Sequence, residues 1–267
     1  MKQYKHVILN SSLLFIIATI LEMTLHECGH FVTAFYMQAQ NLSLHHNYVD
    51  YAEDNLSTTY KIAIAAAGPI VSLLIGMLFH FICSKQTKRN LLFLFNLYMA
   101  IFGYIGFFGY LMIAAMVPVG DTGFIFRALN FPMWFIILIA VTGIAVLYLL
   151  QKCLTKYFVE MGTDELIADT NLRKPFIHCL IQYPLYIGIV ITALLNFPIP
   201  VLISLIAPVC SPMTIMWSYG DALKKTYPAQ NTNAAFEKLN SIQPVLFILL
   251  IIIVAINRLL VSGIHVN

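Results

Sequence analysis

The chain has 267 residues, of which 60% are hydrophobic and only 10% are charged. Because about 25% of the residues of an ordinary soluble domain are charged, this composition excludes a soluble fold and predicts a protein of the lipid bilayer. The formal net charge is +3, and the basic residues are not interleaved with aromatic ones, so we expect no nucleic-acid partner.

The first predicted element is an apolar segment near residues 7–38, which is too long for a signal peptide and is expected to be a retained spanning helix. Further apolar segments lie near residues 61–83, 91–117, 133–150, 176–197, 199–217 and 242–263. Prolines interrupt the segment at 199–217, so the sequence predicts six or seven spans. The expected fold is an all-α polytopic transmembrane helical bundle, with residues 1–267 forming a single membrane domain.

The basic residues predict the orientation of this bundle. If the N-terminus is cytoplasmic and all the apolar segments span, only Lys61, Arg127 and Arg258 of the 15 basic residues lie on the outer side. This distribution follows the positive-inside rule and favours the higher span count. We therefore expect a multi-pass integral membrane protein with a cytoplasmic N-terminus, in the cell membrane.

The segment 38–60, between the first two predicted spans, is polar and unlike its flanks. It is expected to form a re-entrant loop or a short hairpin. Of its side chains that are able to bind a metal, His45, His46 and Glu53 are the candidates considered as ligands.

A metal-binding pattern lies within the first predicted span. His26, Glu27 and His30 form the sequence His-Glu-x-x-His, and side chains four residues apart share one face of a helix. Both imidazoles can then hold a single zinc ion, with Glu27 as general base towards a metal-activated water. The alternative is a group of solvated polar residues near a helix end, but ionisable groups within a span are costly.

A catalytic zinc needs a third protein ligand. The metzincin pattern would require Gly at position 33 and His at 36, where this chain has Thr33 and Tyr36. Asp121 follows the third predicted span, and its end of that span is expected on the same side as the histidines. The rivals in the polar segment remain open: His45, His46 and Glu53.

Two weaker features accompany the motif. Glu22 lies one helical turn before His26 and is a candidate to orient that ligand from behind, although pairing with a hydroxyl elsewhere in the bundle is the alternative. Gly68, Ser72 and Gly76 recur every four residues, a spacing that predicts close helix packing rather than chemistry.

Three motifs together resemble the site-2 protease family of intramembrane zinc metalloproteases. The motifs are His26-Glu27-Cys28-Gly29-His30, Ala67-Gly68-Pro69 and Gly120-Asp121-Thr122-Gly123. The resemblance covers about residues 13–127 as the catalytic core, with additional helices in 128–267. The family often has Asn eight residues before the aspartate, where this chain has Ile113, so the group that stabilises the oxyanion is unassigned.

The resemblance implies one zinc ion held by His26, His30 and Asp121, with Glu27 as the base. It also implies a membrane-embedded protein or peptide as substrate, which pairs as an extended strand with the edge of a hairpin in 38–60. A separate regulatory partner is compatible with this prediction. The alternatives are a membrane transporter or ion-binding protein, and a catalytically inactive homologue that binds membrane partners.

Overall fold

A computed structural model describes residues 4–118, 120–199, 209–224, 227 and 238–266. Six helices within these residues are long and apolar enough to cross a membrane. They are Lys5–Tyr36, Thr58–Lys85, Leu91–Ile113, Met133–Val159, Thr170–Leu195 and Pro244–Ser262. This architecture confirms the predicted all-α polytopic bundle.

The helices, numbered in chain order, are α1 (Lys5–Tyr36), α2 (Thr58–Lys85), α3 (Leu91–Tyr104), α4 (Tyr110–Ile113), α5 (Asp121–Ala128), α6 (Met133–Val159), α7 (Asp164–Ala168), α8 (Thr170–Ile177), α9 (Tyr183–Leu195), α10 (Met216–Lys224) and α11 (Pro244–Leu259). Single π-helical turns join α3 to α4 (Ile105–Gly109) and α8 to α9 (His178–Gln182). Short 3₁₀ turns precede α10 (Ser211–Ile215) and follow α11 (Leu260–Ser262).

Polar side chains mark the start of two spanning helices. The Ser57 hydroxyl accepts a hydrogen bond from the backbone N–H of Tyr60 at the start of α2. Asn90 accepts one from the N–H of Phe93 at the start of α3, at 2.9 Å. Each contact satisfies a backbone donor that the first helical turn leaves free.

α1 runs through the middle of the bundle, where the residues from Leu13 to Ile20 are buried. Phe15 makes edge-to-face contacts with Tyr98 and Phe102 of α3, with ring centroids 5.5 and 4.8 Å apart. Gly188 of α9 lies directly against the other side of the Phe15 ring. The helix that carries the histidine motif is thus fixed on several sides by its neighbours.

The boundaries of α6 differ from the sequence prediction. The apolar segment was expected to end near residue 150, but α6 continues to Val159. Its last turns bury Leu154, Tyr157 and Phe158, so this end of the helix is amphipathic and packs against the bundle. The lysines among these residues lowered the apolar signal along the sequence.

The polar segment between the first two spans forms the expected hairpin. β1 (Gln40–Leu44) pairs with β2 (Val49–Ala52) in antiparallel register. A third strand, β3 (Ile264–Val266), was not predicted and pairs with the other edge of β1, so the strand order is β2-β1-β3. Both edges of β1 are therefore occupied by the chain itself.

Two long-range hydrogen bonds place later parts of the chain near opposite ends of α1. The backbone carbonyl of Asn196 accepts a hydrogen bond from His46 Nε2 at 2.9 Å, which places the end of α9 beside the hairpin. The carbonyl of Leu239 accepts one from Asn10 Nδ2 at 2.8 Å, near the opposite end of α1. Residues 200–208 of the predicted sixth segment lie outside the described residues, and the other six predicted segments correspond to the six long apolar helices.

Candidate metal centre

Three side chains converge at the hairpin end of the bundle. His26 and His30 lie one turn apart on α1, both buried, with their Nε2 atoms 3.1 Å apart. The Oδ2 atom of Asp121, at the start of α5, lies 3.2 Å from His26 Nε2 and 3.4 Å from His30 Nε2. The residues predicted from the sequence as metal ligands therefore meet at one point.

The spacing of these atoms fits one tetrahedral cation. Nitrogen and oxygen ligands lie about 2.0–2.1 Å from zinc, so two ligand atoms of a tetrahedral site are about 3.3 Å apart. The three observed separations of 3.1, 3.2 and 3.4 Å bracket this value. Three protein ligands leave a fourth position for water or substrate, as in catalytic rather than structural zinc sites.

The other ring nitrogen of each imidazole has a partner of its own. His30 Nδ1 donates to the backbone carbonyl of Ile64 at 2.7 Å, and His26 Nδ1 faces the Ser72 hydroxyl at 2.9 Å. Hydrogen bonds at Nδ1 fix the tautomer that leaves a lone pair on Nε2. Two lone pairs and a carboxylate oxygen then face one another, an arrangement that is favourable when a cation lies among them.

Glu22 supports His26 indirectly. Its Oε1 atom accepts a hydrogen bond of 2.5 Å from the Ser72 hydroxyl, whose oxygen in turn accepts from His26. The structure shows the alternative stated for Glu22, pairing with a hydroxyl of the bundle, and that hydroxyl is the group that contacts His26. Gly106, in the π-helical turn, leaves room for this pair, because a Cβ there would lie 2.6 Å from the Ser72 oxygen.

Gly68 of α2 makes space for the imidazoles themselves. A Cβ at this position would lie 2.6 Å from His26 Nε2 and closer still to His30 Nε2. The stripe of small residues on α2 was interpreted from the sequence as packing alone. In the structure Gly68 and Ser72 both contact the histidines, and their four-residue spacing was the signal that could have indicated this.

The loop before α5 sets the position of Asp121. The Thr122 hydroxyl donates to the backbone carbonyl of Tyr110 at 2.9 Å, and Gly123 lies so close to the carbonyl of Val117 that a Cβ would overlap it. The Tyr110 ring stacks on His26 with centroids 5.2 Å apart. The residues around Asp121 therefore connect its loop to the helix that carries the histidines.

A cavity of about 460 Å³ adjoins these ligands. Glu27 lines it, and within the described ranges the Glu27 carboxylate makes no hydrogen bond or ion pair. On the hairpin side the cavity is lined by Tyr51, where burial and the carboxylates of Glu53 and Asp121 raise the phenol pKa. Tyr51 therefore keeps its proton and contributes a neutral O–H group.

The other candidate ligands, in the segment 38–60, make their contacts away from His26 and His30. His46 donates to the carbonyl of Asn196, and His45 stacks on Tyr48 with centroids 4.3 Å apart. Glu53 pairs with Lys61 at 3.1 Å on the surface. Asp121 is thus the residue that the fold brings to both histidines.

Comparisons with protein-family models, curated proteins and solved structures found no match. The chemistry of this centre is therefore inferred from its own atoms. A buried His-His-Asp cluster with supporting hydrogen bonds, an adjoining cavity and a free carboxylate is suited to metal-assisted hydrolysis.

Proposed function

We propose that this chain is a zinc-dependent intramembrane endopeptidase similar to the site-2 proteases. The observation that carries the proposal is the triangle of His26, His30 and Asp121 atoms, spaced for a tetrahedral cation, with Glu27 on the wall of the same cavity. The proposal needs both the metal ligands and the carboxylate of Glu27, because a metal site without a general base is compatible with many functions.

His26, His30 and Asp121 would hold one zinc ion, and the metal would supply Lewis acidity that favours deprotonation of a water at neutral pH. Two imidazoles and one carboxylate also suit ferrous iron. The hydrolytic proposal is supported by Glu27, since a carboxylate without a protein partner beside the ligands can accept a proton.

Glu27 is proposed as the general base. It takes a proton from the attacking water and delivers it to the amine that leaves, so it is regenerated in each cycle. Ser72 and Glu22 keep His26 in the tautomer and orientation that ligation requires. Tyr51 offers an O–H donor towards substrate from the hairpin side.

The proposed substrate is a membrane-embedded protein or peptide in an extended conformation. The cavity lies among spanning helices, and Val49 and Tyr51 of β2 line it at the two-residue spacing of one strand face. Since β1 is paired on both edges, strand addition would use the outer edge of β2. This refines the prediction that the hairpin edge receives substrate.

The test combines metal analysis with a substitution that spares the ligands. Purified protein is expected to contain one zinc ion per chain, and Glu27→Gln should retain it. Cleavage of a library of single-span peptides in proteoliposomes, measured by mass spectrometry, should fall at least about 100-fold in Glu27→Gln. The matched control is Glu165→Gln, at an exposed acid of α7, which should cleave normally.

The outcomes separate the competing functions. Iron in place of zinc, or undiminished cleavage by Glu27→Gln, would contradict the proposal. Solute flux through proteoliposomes without any peptide cleavage would favour a transporter. The cytoplasmic N-terminus and the cell membrane are proposed with the enzyme, and protease accessibility of a tag fused to the N-terminus in intact cells tests the orientation.

A further inference from the structure

Two asparagines join the hairpin turn to the end of α9. Asn47 Nδ2 donates to the backbone carbonyl of Asn196 at 2.9 Å. A carbonyl only accepts hydrogen bonds, so this contact fixes which end of the Asn47 amide is nitrogen and which is oxygen. His46 donates to the same carbonyl, and the turn is therefore held in place twice.

Each of these asparagines has a buried polar atom without a partner among the described residues. The atoms are Oδ1 of Asn47, an acceptor, and Nδ2 of Asn196, a donor. Asn196 is only 4% exposed. A buried polar group without a hydrogen bond is unfavourable, and such groups in a folded protein commonly bind a ligand or a water molecule.

Both asparagines line the cavity that holds the metal ligands. One offers a donor and the other an acceptor, and neither carries a charge. A phosphate or carboxylate would be matched by donors alone, and a cation by acceptors alone. An uncharged donor and acceptor together complement the C=O and N–H groups of a peptide main chain.

We propose that Asn47 and Asn196 bind the main chain of the substrate in this cavity. Asn196 Nδ2 donates to a peptide carbonyl, and Asn47 Oδ1 accepts from a peptide N–H. Because these contacts use the backbone, they select for an extended peptide rather than for particular side chains. This inference rests on the proposed peptidase function and adds residues from outside the three motifs.

The test separates metal binding from main-chain binding. Acetohydroxamic acid presents a metal-chelating group alone, whereas a leucyl dipeptide ending in the same hydroxamate also presents a main chain. Both are titrated calorimetrically into zinc-loaded protein. Asn196→Leu should weaken binding of the dipeptide hydroxamate about tenfold, the value of one hydrogen bond, and leave the affinity for acetohydroxamic acid unchanged.

A structural role for Asn196 predicts a different result. Since its Nδ2 has no described partner, Asn196→Leu should not lower the melting temperature. Asn10 is the matched control, because it is also buried but its Nδ2 donates a 2.8 Å bond to the carbonyl of Leu239, away from the cavity. Asn10→Leu should lower the melting temperature and change neither affinity.

The outcomes distinguish this inference from the proposed function. Equal dipeptide affinity in wild type and Asn196→Leu, with acetohydroxamic acid still bound, would overturn the main-chain contact alone. Failure of the zinc-loaded wild type to bind either hydroxamate would overturn the open metal site and this inference with it. If Asn196→Leu does not fold, Asn196→Ala removes the same donor without adding charge or bulk and is expected to give the same selective loss.

Discussion

The polar groups at the two ends of the bundle are arranged in opposite ways. At the end away from the hairpin, unlike groups meet: Arg89 pairs with Glu160 at 2.6 Å, and the Tyr219 hydroxyl bonds to His178 at 2.9 Å. At the hairpin end, two ring nitrogens and a carboxylate oxygen meet, and all three are acceptors when the imidazoles are neutral. The first kind of contact is complete within the protein, and the second becomes favourable with a cation.

This difference teaches how to distinguish polar groups that fasten a membrane bundle from those that bind a ligand. Within a bilayer an ionisable residue is costly in either case. His80 belongs to the first group, because its Nδ1 lies 2.9 Å from the Tyr104 hydroxyl and is hydrogen-bonded within the protein. His26 and His30 have satisfied Nδ1 atoms but converging Nε2 atoms, and that convergence is the informative feature.

The largest effect is expected from Gly68→Ala. The added methyl group would overlap both imidazoles, so zinc content should fall close to zero by metal analysis. Gly220→Ala is the matched control, because nothing lies within 4 Å of a Cβ there. That helical glycine should gain about 0.5–1 kcal/mol of stability instead. A fully loaded, folded Gly68→Ala protein would contradict the assignment of the two histidines to one ion.

A smaller effect is expected from Ser72→Ala. This change removes the link between Glu22 and His26 but leaves all three ligands, so zinc affinity should fall about 10–100-fold in chelator competition. Ser84, at the exposed end of the same helix, donates to the carbonyl of Phe81 in its own turn and has no other partner among the described residues. Ser84→Ala should bind zinc like wild type, and an equal loss in both variants would show that the effect is not specific to the centre.

The smallest effect on the metal centre is expected from Arg89→Gln. The Arg89 guanidinium pairs with Glu160 and lies over the Phe93 ring, 4.2 Å from its centroid. Its loss should cost about 1–3 kcal/mol of stability, visible as a lower melting temperature in detergent, with zinc content and affinity unchanged. Loss of zinc from a folded Arg89→Gln protein would show that the two ends of the bundle are coupled.

Local features of this centre could be predicted from the sequence because they depend on helix geometry. His26 and His30 share a helix face through their spacing alone, and a polar segment between apolar spans indicates a loop or hairpin. Asp121 was a candidate third ligand because of its expected side of the membrane and the family resemblance, but His45, His46 and Glu53 lie on the same side, so the residues alone left them open. Pairing of Glu22 with a hydroxyl of the bundle was one of two interpretations, but the sequence did not indicate that this hydroxyl is Ser72.

Other features depend on contacts that no single segment contains. β3 pairs with β1 across more than 200 residues of chain, and its three residues carry no distinctive pattern. Asn196 lies at the end of one spanning helix, and several of the other helices also end in polar residues. Its contact with the hairpin turn is what distinguishes it from them. The sequence shows that Gly68 is small, but it does not show that the imidazoles of His26 and His30 occupy the space beside it. That requirement follows from the packing of α1 against α2.

The amino-acid sequence by itself determined that the chain lies in a membrane as helices, and that one of those helices carries a pair of histidines with an acid between them. Composition and spacing suffice for this, because they act within one segment. The tertiary structure decided which acid completes the cluster, which hydrogen bonds hold the imidazoles, and which asparagines line the cavity. These depend on how distant segments pack, and packing is set jointly by the whole chain.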